Sequence, residues 1–183
     1  HGQLRAAIRT QADLDRALRL TDDERRGVHW AEQAGMPLLI PPYYLSLVDP
    51  TDPACPIRRQ FVPQAAESRR VQGDLRDPLG EAAHEVAPRL VRRYPDRALL
   101  LVTSTCAVHC RFCTRARMVG VEEGYVTLAA LEPAFQGLEK HPEVREVLVS
   151  GGDPLVESTA RLDALRGRIR SIASIDVLRI EIG

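Results

Sequence analysis

The second half of the chain alternates short apolar runs with amphipathic stretches, and this alternation restricts the fold more than any other feature. The runs at 98–103 and 147–149 have the apolar character of parallel strands buried on both faces, and 177–182 would be a third strand. Apolar residues at helical spacing lie between them, at 128–138 and 162–172. Such alternation is typical of parallel sheets with right-handed crossovers. The sequence therefore predicts an α/β fold with a βαβαβ unit, half of a barrel or of a doubly wound sheet.

The first residues carry helix signals. Thr10 with Asp13, and Thr21 with Glu24, have the spacing of capping boxes, in which a hydroxyl and a carboxylate bond to backbone N–H groups at a helix start. Gly35 then has the character of a helix stop. We predict two short helices before residue 35.

A proline-rich stretch follows. Seven of the 13 prolines lie at 37–63, which favours extended or turning chain over helix or central strand. Because aromatic and apolar residues interrupt these prolines, we predict an ordered segment that wraps a neighbouring surface. We divide the chain into an N-terminal helical and extended region, 1–88, and the first part of the α/β unit, 89–183.

Composition excludes several classes of protein. The chain has 25 basic and 25 acidic residues, and this zero net charge argues against a nucleic-acid or anionic-membrane binder. The longest purely apolar run, Ala98 to Val102, is far shorter than a membrane helix. We expect a soluble, cytoplasmic protein. Because the chain begins with His1 and stops at Gly183 in a predicted strand, we also expect it to be a fragment.

Three of the four cysteines, Cys106, Cys110 and Cys113, directly follow the first predicted strand. Loops at the carboxyl ends of parallel strands are where α/β folds place their chemistry. Three closely spaced thiolates in an intracellular protein favour metal binding, and they can hold an iron–sulfur cluster that keeps one iron open. The alternative is a zinc site completed by His109 or the remote Cys55.

The Cys-x₃-Cys-x₂-Cys spacing resembles the radical S-adenosylmethionine signature, and further motifs resemble the lysine 2,3-aminomutase family in particular. These motifs are Pro42-Tyr43-Tyr44, Asp52-Pro53-Ala54-Cys55-Pro56, Arg93-Tyr94-Pro95-Asp96-Arg97, Thr114-Arg115-Ala116-Arg117 and Ser150-Gly151-Gly152-Asp153-Pro154-Leu155. The resemblance covers essentially the whole chain. It implies that the fold is the first half of a radical S-adenosylmethionine partial (β/α) barrel.

The resemblance also implies ligands. The three cysteines would hold a [4Fe–4S] cluster whose open iron binds S-adenosylmethionine. Residues predicted to contact S-adenosylmethionine are Phe112, Ser150, Gly151, Gly152 and Asp153. Two alternatives stay open, because Phe112 could equally be local core and the glycines could form a plain strand-to-helix turn.

Arginines are concentrated before and within residues 106–113, which we call the cysteine segment. Residues 89–119 hold seven arginines and one acid, which favours anionic ligands, although some of these arginines could be solvated. By resemblance, Arg93, Tyr94 and Arg97 would contact pyridoxal 5′-phosphate, and Arg115 would bind the substrate carboxylate. The one lysine, Lys140, lies at the end of a predicted helix, so we expect the lysine that binds pyridoxal phosphate to lie beyond Gly183 and identify no catalytic residue here.

The implied activity is that of a 2,3-aminomutase, an isomerase that moves the amino group of an α-amino acid, with L-lysine to β-lysine as the first choice. Glutamate, arginine, a role in elongation-factor lysylation and another radical reaction are the alternatives. Expected partners are an amino-acid substrate, an electron donor such as flavodoxin or ferredoxin, and further copies of the chain. We expect the 183-residue chain alone to lack turnover.

Overall fold

The computed structural model describes residues 2–120 and 126–182, so His1 and Gly183, the outer bounds of the two predicted regions, lie outside the described part. The described residues form two compact units. One unit contains 2–76 and 107–120, and the other contains 77–106 and 126–182. The cysteine segment crosses from one unit to the other, since Cys106 belongs to the second unit and the residues after it to the first.

The second unit is built on a mixed sheet. Its strands are β1 (Glu85–Ala87), β2 (Leu90–Val91), β3 (Arg97–Thr103), β4 (Glu146–Gly151) and β5 (Val177–Ile180). They lie side by side in chain order, with β1–β2 and β2–β3 antiparallel and β3–β4 and β4–β5 parallel. The three predicted strands are therefore present as a parallel βαβαβ unit. The α/β class is confirmed.

Two helices connect the parallel strands. A 3₁₀ turn (Ala129–Leu131) leads into α6 (Glu132–Glu139), where Pro133 lies in the first turn and so removes no helical hydrogen bond. Helix α7 (Thr159–Arg170) begins at Ser158, whose hydroxyl accepts a hydrogen bond from the N–H of Arg161. The core of this unit combines alternate residues of β3 and β4 with one face of each helix. Its most buried members include Leu100, Val102, Leu131, Phe135, Leu138, Val147, Leu165 and Ile169.

The first unit contains short helices around a second core. They are α1 (Gly2–Arg5), α2 (Gln11–Ala17), α3 (Asp22–Gln33), α4 (Pro42–Ser46) and α5 (Arg58–Phe61). The cap of α3 is the predicted capping box of Thr21 and Glu24, and Gly35 follows this helix with a φ of 72°. Leu14, Leu18, Val28, Leu38, Ile40, Phe61 and Val62 form the core.

One local prediction needs correction, and one pair of strands has no counterpart among the predictions. The proline-rich stretch is not wholly extended, because α4 begins with Pro42 at a position where a helix needs no N–H, and α5 lies between Pro56 and Pro63. The hairpin of β1 and β2 was not predicted, since its strands are too short to show a period, and its turn uses Arg89 at a φ of 67°. Among the described residues, no helix has the length and apolarity needed to cross a membrane.

Candidate functional site

The cysteine segment begins where β3 ends. Thr103 is the last residue of β3, its hydroxyl accepts a hydrogen bond from the N–H of Thr105 at 3.2 Å, and Cys106 follows. The carboxyl end of a parallel strand therefore leads directly into the first predicted cluster ligand. This is the position that α/β folds use for binding and catalysis.

Cys110 and Cys113 lie together in the first unit. A hydrogen bond between the two sulfur groups is the largest cause that lowers the pKa of the Cys113 thiol to about 6; burial opposes the shift, and the N–H and charge of Arg115 and the charge of Arg117 add to it. A thiol with such a pKa is largely thiolate at neutral pH, and the thiolate is the form that binds metals. The donor chemistry of this pair therefore fits an iron–sulfur ligand set.

A small cleft is lined in part by these two cysteines. Its lining also includes the polar side chains of His109 and Arg111 and the apolar residues Met36, Pro37, Ala116 and Val119. Polar and apolar groups therefore share this cleft with the cysteine pair.

The histidine of the cysteine segment is engaged elsewhere. His109 Nδ1 lies 2.8 Å from the carbonyl oxygen of Pro37, and the backbone N–H of His109 donates to the carbonyl of Leu39 at 3.0 Å. Its ring also lies against Gly120, where an added Cβ would be 2.4 Å from Cε1. These contacts make His109 a structural anchor and weaken its candidacy as a zinc ligand.

The glycine motif, Ser150 to Leu155, lies at the end of β4 and packs against the end of β3. A Cβ at Gly151 would lie 2.3 Å from the carbonyl oxygen of Thr103, and one at Gly152 would lie 2.2 Å from that of Thr105. The N–H groups of Gly152 and Asp153 donate to these same two carbonyls, both at 2.8 Å. The glycines are therefore needed for close contact between the two strand ends, beside the residue that precedes Cys106.

The polar residues of this motif are placed at the same edge. Ser150 is buried at the end of β4, and Asp153 Oδ1 accepts a hydrogen bond from the N–H of Leu155 at 2.9 Å, which begins a 3₁₀ turn. Asp153 thus caps a turn with one carboxylate oxygen. Its predicted contact with S-adenosylmethionine stays a prediction.

The residues predicted for pyridoxal phosphate lie at the other end of β3. Arg97 begins the strand, pairs with Asp96 at 3.0 Å and has its guanidinium 5.5 Å from the ring centre of Tyr94. Arg93 donates to the carbonyl of Leu79 at 3.0 Å. Since β3 has seven residues, about 20 Å separate its two ends. Within this unit, the structure does not bring Arg93, Tyr94 and Arg97 together with Gly151 to Asp153.

The remaining predicted residues are spread more widely. Arg115 lies in the first unit close to Cys113, and Phe112, between two cysteines, is 70% exposed, so it is not local core. Lys140 forms the C-terminal cap of α6, as expected for a cation at that position. Sequence reasoning missed Glu67, whose carboxylate pairs with Arg111 from 44 residues away, because no local pattern marks that contact.

Across residues 2–120 and 126–182, no group of three or more His, Cys, Asp or Glu side chains is arranged to hold a metal ion. Cys110 and Cys113 form a pair within one unit, and the third predicted ligand, Cys106, belongs to the other unit. The prediction of a metal centre thus rests on the motif and on the thiolate chemistry of this pair.

Comparison with known proteins places these motifs in context. An L-lysine 2,3-aminomutase of Bacillus subtilis is 42% identical over 178 residues, 97% of this chain. That of Clostridium subterminale is 39% identical over the same share, and a glutamate 2,3-aminomutase of Clostridioides difficile is 37% identical over 77% of the chain. No protein-family model matches the chain.

The chain spans only part of these proteins, 38% of the Bacillus subtilis relative and 42% of the Clostridium subterminale relative. All three are named as aminomutases, which are isomerases. The resemblance to the lysine 2,3-aminomutase family, inferred above from separate short motifs, is thereby confirmed over 97% of the chain.

Proposed function

We propose that this chain supplies the first part of a radical S-adenosylmethionine, pyridoxal phosphate-dependent 2,3-aminomutase. L-lysine is the preferred substrate, because several relatives covering 97% of the chain are named L-lysine 2,3-aminomutase. The reaction would move the α-amino group to the neighbouring carbon and give β-lysine.

The observation that carries the proposal is the cysteine segment at the end of β3. Cys106, Cys110 and Cys113 would hold a [4Fe–4S] cluster, which, when bound together with S-adenosylmethionine, would supply the electron for cleaving the sulfonium. The lowered pKa of Cys113 supports the role of its thiolate as a ligand.

The chain's own residues would bind and orient the other ligands. The carboxylate of Asp153, beside the joined ends of β3 and β4, would accept a hydrogen bond from the amino group of S-adenosylmethionine. The exposed ring of Phe112 suits stacking on an adenine. Arg115 offers a guanidinium fork for the substrate carboxylate.

Pyridoxal phosphate dependence is proposed on the resemblance alone. Arg93 and Arg97 stay the candidates for its phosphate, and Tyr94 is the candidate for a further contact with the cofactor. An absorbance titration with pyridoxal phosphate, on the longer protein that contains this chain, compares wild type with Arg97→Gln. Binding weakened by the substitution would support this assignment, and equal binding would exclude Arg97 from it.

Electron paramagnetic resonance tests the cluster directly. The protein is reconstituted with iron and sulfide without oxygen, reduced, and measured with and without S-adenosylmethionine. We expect a [4Fe–4S]⁺ signal that changes when S-adenosylmethionine is added and is absent in Cys110→Ala. A protein that carries zinc and takes up no iron would refute the radical mechanism.

L-glutamate is the second candidate substrate, because the Clostridioides difficile relative is named glutamate 2,3-aminomutase. Chromatography of the products from L-lysine and L-glutamate, made by the longer protein that contains this chain, distinguishes the two. A radical enzyme of another reaction type would show the cluster signal and form neither β-amino acid. We further propose a cytoplasmic, homo-oligomeric enzyme that takes electrons from a flavodoxin or ferredoxin and has no nucleic-acid or membrane partner.

A further inference from the structure

We infer that Glu67 is a positioning residue for the cysteine segment: through Arg111, it fixes the backbone between Cys110 and Cys113. The inference rests on the proposed function, because the segment matters as a cluster loop. All four residues belong to the same unit.

Arg111 is held by its backbone and by its side chain. Its N–H donates to the carbonyl of Gln60 at 2.7 Å, and its guanidinium donates to Oε2 of Glu67 through Nη2 at 2.7 Å and through Nε at 3.1 Å. The side chains of Arg111 and Glu67 are 6% and 22% exposed. Since both charges are largely removed from water, this pair is less screened than a surface salt bridge. It orients the residue that directly follows Cys110.

Glu67 itself sits on a rigid support. Its Oε1 accepts a hydrogen bond from the N–H of Gln64 at 2.9 Å, which caps the 3₁₀ turn Ala65–Ser68. The residues that lead into this turn pack on α3, because a Cβ added at Gly27 would lie 2.5 Å from the carbonyl oxygen of Pro63 and 2.6 Å from the Cα of Gln64. The position of the Glu67 carboxylate, which binds Arg111, is therefore fixed by a turn whose preceding residues pack on α3.

The residue before Cys110 is tethered in the same manner. His109 bonds to the carbonyls of Pro37 and Leu39 through its ring and its N–H. Cys110 is thus held on both sides by contacts to the proline-rich region, none of which needs a metal. Ordering a ligand before binding lowers the entropic cost of binding.

The test compares Glu67→Ala and Glu67→Gln with Asp15→Asn. Asp15 is a matched control, because it pairs with Arg25 in the same unit and is 28% exposed. Each protein is reconstituted with iron and sulfide, and the rate of iron loss to a chelator is measured alongside the resonance signal of the reduced cluster. Melting of the metal-free proteins controls for general loss of stability.

We expect Glu67→Ala to lose iron at least about 10-fold faster than wild type, because removing a group that orients a metal ligand typically weakens metal binding by this factor or more. Glu67→Gln, which keeps the acceptor oxygen, should restore part of the difference, and Asp15→Asn should match wild type. Iron loss at the wild-type rate in Glu67→Ala would overturn the inference.

A second measurement separates this inference from the proposed function. If wild type takes up no iron, the proposed function fails, and amide hydrogen exchange in the metal-free protein decides the inference. Loss of the charged pair should then speed exchange at the N–H of Arg111 about 10-fold or more in Glu67→Ala, relative to Asp15→Asn. Unchanged exchange would refute the positioning role.

Discussion

Replacing Gly152 by alanine tests the packing of the site directly. Gly152 does not have a positive φ, so alanine meets no backbone strain there and the variant tests the contact alone. Its Cβ would lie 2.2 Å from the carbonyl oxygen and 2.7 Å from the carbonyl carbon of Thr105. Both are backbone atoms, so no flexible side chain can move aside. The segment that leads into Cys106 would have to move instead.

The cost follows from these contacts. Forcing an extra methyl into a packed site costs about 1–3 kcal/mol. Separating the strand ends also weakens the 2.8 Å hydrogen bond from Asp153 to Thr105, for about 1 kcal/mol more. A less flexible unfolded chain returns about 0.4–1 kcal/mol. Gly152→Ala should therefore lower the free energy of unfolding by roughly 1–3.5 kcal/mol.

Gly167→Ala is the matched control. Gly167 lies inside α7, and no atom lies within 4 Å of an added Cβ there, so alanine should stabilise the same unit by about 0.5–1 kcal/mol. Urea unfolding followed by circular dichroism measures both variants. Opposite shifts are expected. If Gly152→Ala were as stable as Gly167→Ala, the proposed close contact between the ends of β3 and β4 would be wrong.

Three further predictions concern the first unit. Glu24→Gln should destabilise the protein by about 3–5 kcal/mol in urea unfolding, because it leaves the fully buried guanidinium of Arg58 without its 2.8 Å carboxylate partner. Burial raises the pKa of Glu24, but hydrogen bonds from Arg58 and Thr21 outweigh it and hold the pKa below its usual value. The stability that Glu24 contributes should thus be complete above the pKa of an unfolded glutamate and be lost as the pH falls through the lower pKa of the folded state. Urea titrations from neutral to acid pH should show this loss in wild type and not in Glu24→Gln. In metal-free protein, alkylation of Cys113 should reach half its maximal rate near pH 6, since its pKa is lowered by the Cys110 hydrogen bond; a midpoint near the value of a free thiol would contradict this.

The sequence predicted the parts of the fold that local patterns encode. The βαβαβ order, the capping box of Thr21 and Glu24, and the stop at Gly35 each follow from spacing within a few residues, and each is present. The pair of Arg58 and Glu24, 34 residues apart, left no such pattern. It depends on how the proline-rich region folds back on α3, which periodicity cannot encode.

The glycine motif shows how one pattern can have two physical causes. Glycines after a strand favour close approach of a ligand or of another backbone, and spacing alone does not distinguish them. In the structure, Gly151 and Gly152 meet the carbonyls of Thr103 and Thr105. The sequence thus identified where the backbone must come close to another group, and the structure identifies that group as the backbone of Thr103 and Thr105.

The excess of arginines at 89–119 also depends on acidic partners that lie far away in the sequence. The arginines of 89–119 exceed the acids of that window, yet Arg92 pairs with Glu143 at 2.6 Å and Arg111 with Glu67 at 2.7 Å, both acids from outside it. Long-range pairing therefore neutralises part of the excess that suggested anionic ligands. At the candidate site, the Cys110 hydrogen bond lowers the pKa of Cys113 most, and the N–H and charge of Arg115, predicted to bind the substrate carboxylate, lower it further. A carboxylate bound at Arg115 would offset part of that positive charge and favour the protonated thiol in the metal-free protein, so binding at Arg115 should raise the midpoint of Cys113 alkylation.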